Sequence, residues 1–242
     1  MGGGILRLIA TAIDRRGPPR SPGRGRPPTD TVRALTTSRR FLREGTPWRG
    51  LIATEAQASG STLRRCLGRW CQTGLLARGH SDLILDSCSV LAEHGSDLTR
   101  PNPTDRAKRG TKYHVAVDGD GVPVACVNTA ANVNNALVFE RLFLAAFAVV
   151  ARVRTVFADK GCDAERHRNP RRSFGAKPCI HKRARPRGSG LGKRRWPVER
   201  SLAWVLENKR LALRHDRLGF TVQSLLRSAC VFLVAGRLAR EF

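Results

Sequence analysis

The segment "KYHVAVDGDGVPVACVNT", residues 112–129, constrains the fold more tightly than any other part of the chain. Apolar and polar residues alternate through "KYHVAVD", the period of a strand with one face in a core. Asp118-Gly119-Asp120-Gly121 follows, with residues that tolerate positive φ and side chains that bond their own backbone. "VPVACVNT" then returns as a second strand, so the segment predicts an antiparallel hairpin. Three further strands are expected at "LILDSCSV" (83–90), "VRTVFADKG" (153–161) and "AKPCIHK" (176–182). A helix from Asn132–Asn135 to about Val150 carries Leu137, Val138, Leu142, Leu144 and Phe147. A long helix should begin near Trp196 or Pro197, and a last apolar helix should cover roughly Thr221 to Leu238. Strands interleaved with helices predict an α/β fold, a mixed five-stranded sheet flanked by helices over residues 80–242.

Ahead of the sheet, "DRRGPPRSPGRGRPP" has too little apolar content to fold, and residues 1–28 are expected to be a flexible basic arm. Thr29 and Asp30 can cap a helix running to about Glu44, which Gly45 and Pro47 end. Residues 53–58 suit a short helix, Ser59-Gly60 a turn, and Ser61 the N-cap of a second helix. Leu63, Cys66, Leu67 and Trp70 share one face of that helix, while Arg64, Arg65 and Arg69 point elsewhere. Helix, glycine turn and basic helix resemble a helix-turn-helix, which makes residues 29–79 a small helical N-terminal DNA-binding domain. An ordinary helical hairpin fits the same pattern.

Charge narrows the partner. Lys and Arg total 44 against 19 acids, a net charge of +25. Such an excess calls for a polyanion, nucleic acid first and an anionic membrane surface second. The loop of residues 182–195 concentrates Lys182, Arg183, Arg185, Lys193, Arg194 and Arg195, a density suited to DNA phosphates. The longest apolar run, Leu142–Ala151, is about half a bilayer span, so no membrane partner is expected. Seven scattered Cys read as reduced thiols of a cytoplasmic protein rather than a disulfide framework. Cys162, Cys179 and His181 match no paired zinc-ligand spacing, and His114 reads as a structural histidine inside a strand.

One carboxylate is out of place. Asp86 interrupts "LILDSCSV", and a buried charge costs several kcal/mol unless something pairs with it. Asp159 ends the fourth strand, and strand ends in α/β sheets are where sites collect. Glu199 lies in the first turn of the long helix, and a helix laid across the sheet can bring it beside both aspartates. Three such carboxylates repel unless cations join them. Mg²⁺ (or Mn²⁺) suits oxygen donors, and two ions can activate an attacking hydroxyl and stabilise a leaving oxygen. Asp118 and Asp120 read as turn formers, and Glu207 as a surface residue.

The blocks "DSCSVLAEHGSDLTRPNPTDRAKRGTKYHVAVDGDGVPV", "ANVNNALVFERL", "ADKGCD" and "GKRRWPVERSLAWVLENKRLALRHDR" resemble, in order and spacing, those of bacterial DDE transposases of the insertion sequence five family. The resemblance spans about residues 81–240, and "GRPPTD" and "GTPWR" extend it less closely toward the N-terminus. It implies an RNase H-like core with Asp86, Asp159 and Glu199 as a metal-holding catalytic triad. Lys160, Arg195, Lys209 and Arg210 are then expected to contact double-stranded DNA, with the enzyme acting as a homodimer. The chain departs from the family where Cys162 stands for the common Tyr, Asn135 for a frequent Asp, and Pro197 for Val or a similar residue. The reading is a transposase that binds its element's ends, cleaves DNA and joins the free 3′-hydroxyl to a target. A non-catalytic DNA-binding relic or repressor, and a metal-dependent nuclease of the same fold, are the alternatives; cleavage and joining assays separate the three.

Overall fold

The computed structural model describes residues 3–16, 29–70, 82–92, 96–150, 153–163, 175–180 and 191–241. The expected hairpin is its spine. Strand β3 (Arg109–Asp118) and strand β4 (Pro123–Ala130) run antiparallel. At their turn, Asp118 Oδ1 accepts from Asp120 N at 3.0 Å and Val122 N at 2.8 Å, while Gly121 takes φ +80°. Strand β1 (Asp82–Leu91) lies antiparallel on the other side of β3. Strands β5 (Thr155–Ala158) and β6 (Lys177–Ile180) continue the sheet in parallel, giving the order β4-β3-β1-β5-β6. A two-residue strand, β2 (Arg100–Pro101), pairs with the start of β3 and makes a sixth.

Alternation along β1 divides the core. Leu83 and Leu85 face helix α4 (Asn135–Phe147), packing with Val138, Phe139, Leu142 and Phe143. Ile84 and Val90 face the opposite layer, which contains helix α5 (Leu191–Leu206) and helix α7 (Gly219–Glu241). Asp86 shares the parity of Ile84 and so points toward the α5 layer. Within α7, residues 219–236 have a mean hydropathy of 1.4, long and apolar enough to pass for a membrane span. Val222, Leu225, Leu226, Ala229 and Cys230 of that stretch are buried in the central core.

The N-terminal third departs from expectation in three ways. Residues 3–16 are not a flexible arm: they form helix α1, which buries Leu6, Ile9, Ala10 and Ile13 against Leu35 and Ala235. Their i, i+3, i+4, i+7 spacing makes one apolar stripe, and Arg7 falls off it into solvent. Residues 53–58 are not helical. Instead the Arg33 guanidinium bonds the carbonyls of Thr54 and Gln57 and holds that segment as a loop. Finally, helices α2 (Thr31–Glu44) and α3 (Gly60–Trp70) have no core of their own. Phe41, Leu42, Leu63 and Leu67 join the same cluster as Tyr113, Leu225 and Leu226, so the described residues 29–70 pack as part of the central core.

The long helix also differs. It begins at Leu191, upstream of the expected start, and Pro197 lies inside it. An interior proline forfeits one helical hydrogen bond and typically costs about 3 kcal/mol. Pro197 is buried on the β3–β4 turn, where a side chain on Gly121 would meet the Pro197 carbonyl at 2.9 Å. Tertiary packing therefore holds the proline in place. The helix stops at Leu206 because the Asn208 side-chain amide donates to the carbonyls of Trp204 and Val205. Lys209 and Arg210 consequently lie on a separate short helix, α6 (Lys209–Ala212).

Candidate active site

Parallel pairing of β1 with β5 matches Leu85 to Ala158. The next residues on the two strands are Asp86 and Asp159, so two carboxylates from distant sequence blocks arrive side by side. Arg195, on α5, reaches both. Its Nη2 donates to Asp86 Oδ2 at 2.6 Å, and its Nη1 donates to Asp159 Oδ1 at 3.3 Å. The Asp86 carboxylate also accepts from Ser87 N at 2.8 Å. Burial pushes its pKa up, against the Arg195 charge that pulls it down. Burial beside Asp86 drives the Cys88 thiol up to about 12, so it stays protonated.

Helix α5 is fixed over this pair from the hairpin turn. Ser201 Oγ donates to Gly121 O at 2.6 Å, and Arg200 Nη2 donates to Asp120 O at 2.9 Å. Val198, Leu202 and Val205 supply the apolar contact. Glu199 falls one turn beyond Arg195 on the same face. It is exposed and has no hydrogen bond or ion pair among the described residues. Among those residues, no three acidic, His or Cys side chains converge closely enough to hold a metal. The two aspartates do fit one. They are hard oxygen donors already gathered around a single cationic group, the donor chemistry Mg²⁺ prefers. The structure brings Asp86 and Asp159 together and leaves Glu199 nearby along α5.

On the α4 side a small pocket is lined by Asp86, Asp159, Ser87, His114, Asn135 and Cys162. Asn135 Oδ1 is buried there without a partner among the described residues. His114 is bonded to Thr129 Oγ1 at 2.9 Å, and burial holds it neutral with a pKa near 3, in keeping with a structural role. The zinc alternative has no support among the described residues. Cys162 packs on the α4 face of the sheet and Cys179 against the opposite layer, while His181 lies outside the described residues.

The basic residues divide. Arg64 and Arg65 are exposed on α3, Arg194 on α5 and Lys209 on α6; Lys160 is half-buried directly after Asp159. Lys182, Arg183 and Arg185, and the side chains of Arg69 and Lys193, lie outside the described residues. Arg210 is a correction. It is 7% exposed, pairs with Asp216 at 3.1 Å and stacks over the Phe41 ring, so no phosphate can reach it. Sequence reasoning also missed the stack in which Arg200 lies over the rings of Trp196 and Trp204. The i, i+4, i+8 spacing of Trp196, Arg200 and Trp204 was its signal.

A mixed sheet in this order, flanked by helices and with aspartates on adjacent strands, has the α/β architecture expected of an RNase H-like core. The profile of the transposase DDE domain family matches residues 77–233. A Burkholderia cepacia protein named as a transposase for insertion sequence element IS402 is 36% identical over 205 residues, covering 79% of this chain and 96% of that protein. Among solved structures, the catalytic core of BIV integrase aligns at 16% identity with a TM-score of 0.35, over 64% of this chain and 84% of that one. The piggyBac transposase synaptic complex with hairpin DNA aligns at 10% identity with a TM-score of 0.45, over 96% and 71%. The chain belongs to the transposase DDE domain family and is a DNA transposase.

Proposed function

We propose that Asp86, Asp159 and Glu199 form the metal-holding triad of this transposase, acting with Mg²⁺ or Mn²⁺ on the ends of its own insertion element. The observation that carries the reading is the β1–β5 register, which sets Asp86 and Asp159 side by side under one helix that also bears Glu199. When bound, the metal supplies an activated hydroxyl and stabilises the leaving oxygen of a phosphodiester. The chain's own residues hold and aim. Ser87 N fixes the Asp86 carboxylate, and Ser201 and Arg200 pin α5 to the hairpin turn. In this reading Lys160, Arg194 and Lys209 take DNA phosphates, and Arg64 and Arg65 meet the duplex from α3. We read the enzyme as a member of the insertion sequence five family, working as a homodimer on duplex DNA in the bacterial cytoplasm, at the nucleoid.

The test uses oligonucleotides copied from the DNA flanking the gene. Asp86→Asn, Asp159→Asn and Glu199→Gln should each abolish metal-dependent cleavage and strand joining while leaving DNA binding intact. Full activity of Glu199→Gln would remove the third carboxylate from the assignment and turn attention to Glu207. A wild-type chain that binds ends without cutting them would instead be the non-catalytic relic or repressor.

A further inference from the structure

We propose that Arg195 is an internal counter-cation that holds the Asp86–Asp159 pair closed to metal until a DNA phosphate draws its guanidinium away, so that DNA binding and metal loading reinforce each other. The inference rests on the assignment of the two aspartates as metal holders. Two nitrogens of one planar group span the facing oxygens, Nη2 to Asp86 Oδ2 at 2.6 Å and Nη1 to Asp159 Oδ1 at 3.3 Å. A metal ion bonding those oxygens has to displace the guanidinium.

The guanidinium is poorly secured apart from these two anions. Its Nε is buried with no hydrogen-bond partner among the described residues, so the closed state leaves a donor unsatisfied there. Its only ion-pair partners among the described residues are the two carboxylates that a metal would neutralise. The helix beneath it does not depend on this contact. It is docked by Ser201 on Gly121, by Arg200 on Asp120, and by buried Val198, Leu202 and Val205. Arg195 can therefore swing while α5 stays in place.

Phosphate is the natural alternative partner, because a guanidinium fork matches a phosphodiester as well as it matches carboxylates. Exposed Arg194 precedes Arg195, and Lys160 follows Asp159, so positive charge collects phosphate at this edge of the sheet. A phosphate that captures Arg195 frees the aspartates, and a metal that takes the aspartates frees Arg195 for phosphate. The coupling must run equally in both directions.

Mn²⁺ binding to the full chain, followed by the loss of the free-ion EPR signal, tests this without any turnover. Titrations are run with and without a short duplex, and the signal lost to duplex alone is subtracted. Arg195→Gln should bind Mn²⁺ more tightly than wild type in the absence of DNA, by a factor within the range of about 5 to 150 seen for coupled sites. The duplex should tighten Mn²⁺ binding to wild type and leave Arg195→Gln nearly unchanged. Equal affinity of variant and wild type, or an equal response to duplex, overturns the proposal. Arg195→Lys guards against a folding defect: a point charge cannot span both carboxylates, so it should fall between wild type and Gln, and any other order counts against the idea. Asp86→Asn separates the two levels. If it binds Mn²⁺ as well as wild type does, the metal assignment itself has failed.

Discussion

Ser201 Oγ donates to the Gly121 carbonyl at 2.6 Å, joining the middle of α5 to the tip of the β3–β4 hairpin. Ser201 is fully buried, and a side chain on Gly121 would meet the Pro197 carbonyl at 2.9 Å. The orientation of α5, and with it the placement of Arg195 and Glu199, depends on this joint. Ser201→Ala should lower stability by about 1–3 kcal/mol, since it strands a buried carbonyl. Gly121→Ala should cost more, because it adds the contact with Pro197 to the strain of φ +80°. Urea unfolding midpoints rank the two, and the reverse order would show that the joint is loose.

Arg210 and Lys209 are adjacent in sequence, one buried and the other exposed. Arg210→Ala leaves the Asp216 carboxylate buried beside Trp48 and should destabilise by about 3–5 kcal/mol. Lys209→Ala, on an exposed site, should shift stability by no more than about 0.5 kcal/mol and weaken DNA binding instead. Paired measurement of thermal midpoint and duplex affinity distinguishes them. A stable Arg210→Ala with reduced affinity would restore Arg210 as a DNA contact.

Acid should destabilise the protein partly through His114. Its folded pKa is near 3, below the unfolded value of 6.5. The unfolded chain therefore takes up a proton first, and stability is full above pH 6.5 and lost as pH falls toward 3. The contribution is at most about 1.4 kcal/mol per pH unit. His114→Gln, which can still bond Thr129, should flatten that part of the acid limb. Parallel slopes for variant and wild type between pH 6 and 4 would refute the assignment.

DNA affinity should fall steeply with salt. If Arg64 and Arg65 meet phosphates, replacing either with Ala should reduce the slope of log K against log salt by about 1 and weaken all sequences alike. Arg64 already lies 4.8 Å from the Trp48 ring centroid, so its loss should also raise Trp48 solvent exposure. An unchanged slope would turn α3 away from the DNA.

Much of the sheet was legible because local and tertiary signals agree there. Alternation in residues 112–118, the Asp-Gly turn and the apolar run at 83–85 all fall where the strands are. The juxtaposition of Asp86 and Asp159 needs the β1–β5 pairing, which no local signal in the sequence fixes. Elements whose local chemistry is overruled were not legible. Proline disfavours a helix through residue 197, yet burial on Gly121 holds one there. Charge and glycine hid α1, whose stripe acquires meaning only against Leu35 and Ala235. The arginine that bridges the aspartate pair stood in a run of basic residues, and its i, i+4 spacing from Glu199 is the linear signal that sets it apart from its exposed neighbour Arg194.

Helices α2 and α3 share their apolar cluster with the sheet and α7, so among the described residues they pack directly on the layer that carries the aspartates. The protein is thereby a fixed caliper. If α3 grips the duplex as proposed, the phosphate presented to Asp86 and Asp159 lies at a set offset from it, measured by packed side chains rather than by tether length. Cavities opened at Leu63 or Leu67 would then blur where the strand is cut as well as weaken the fold.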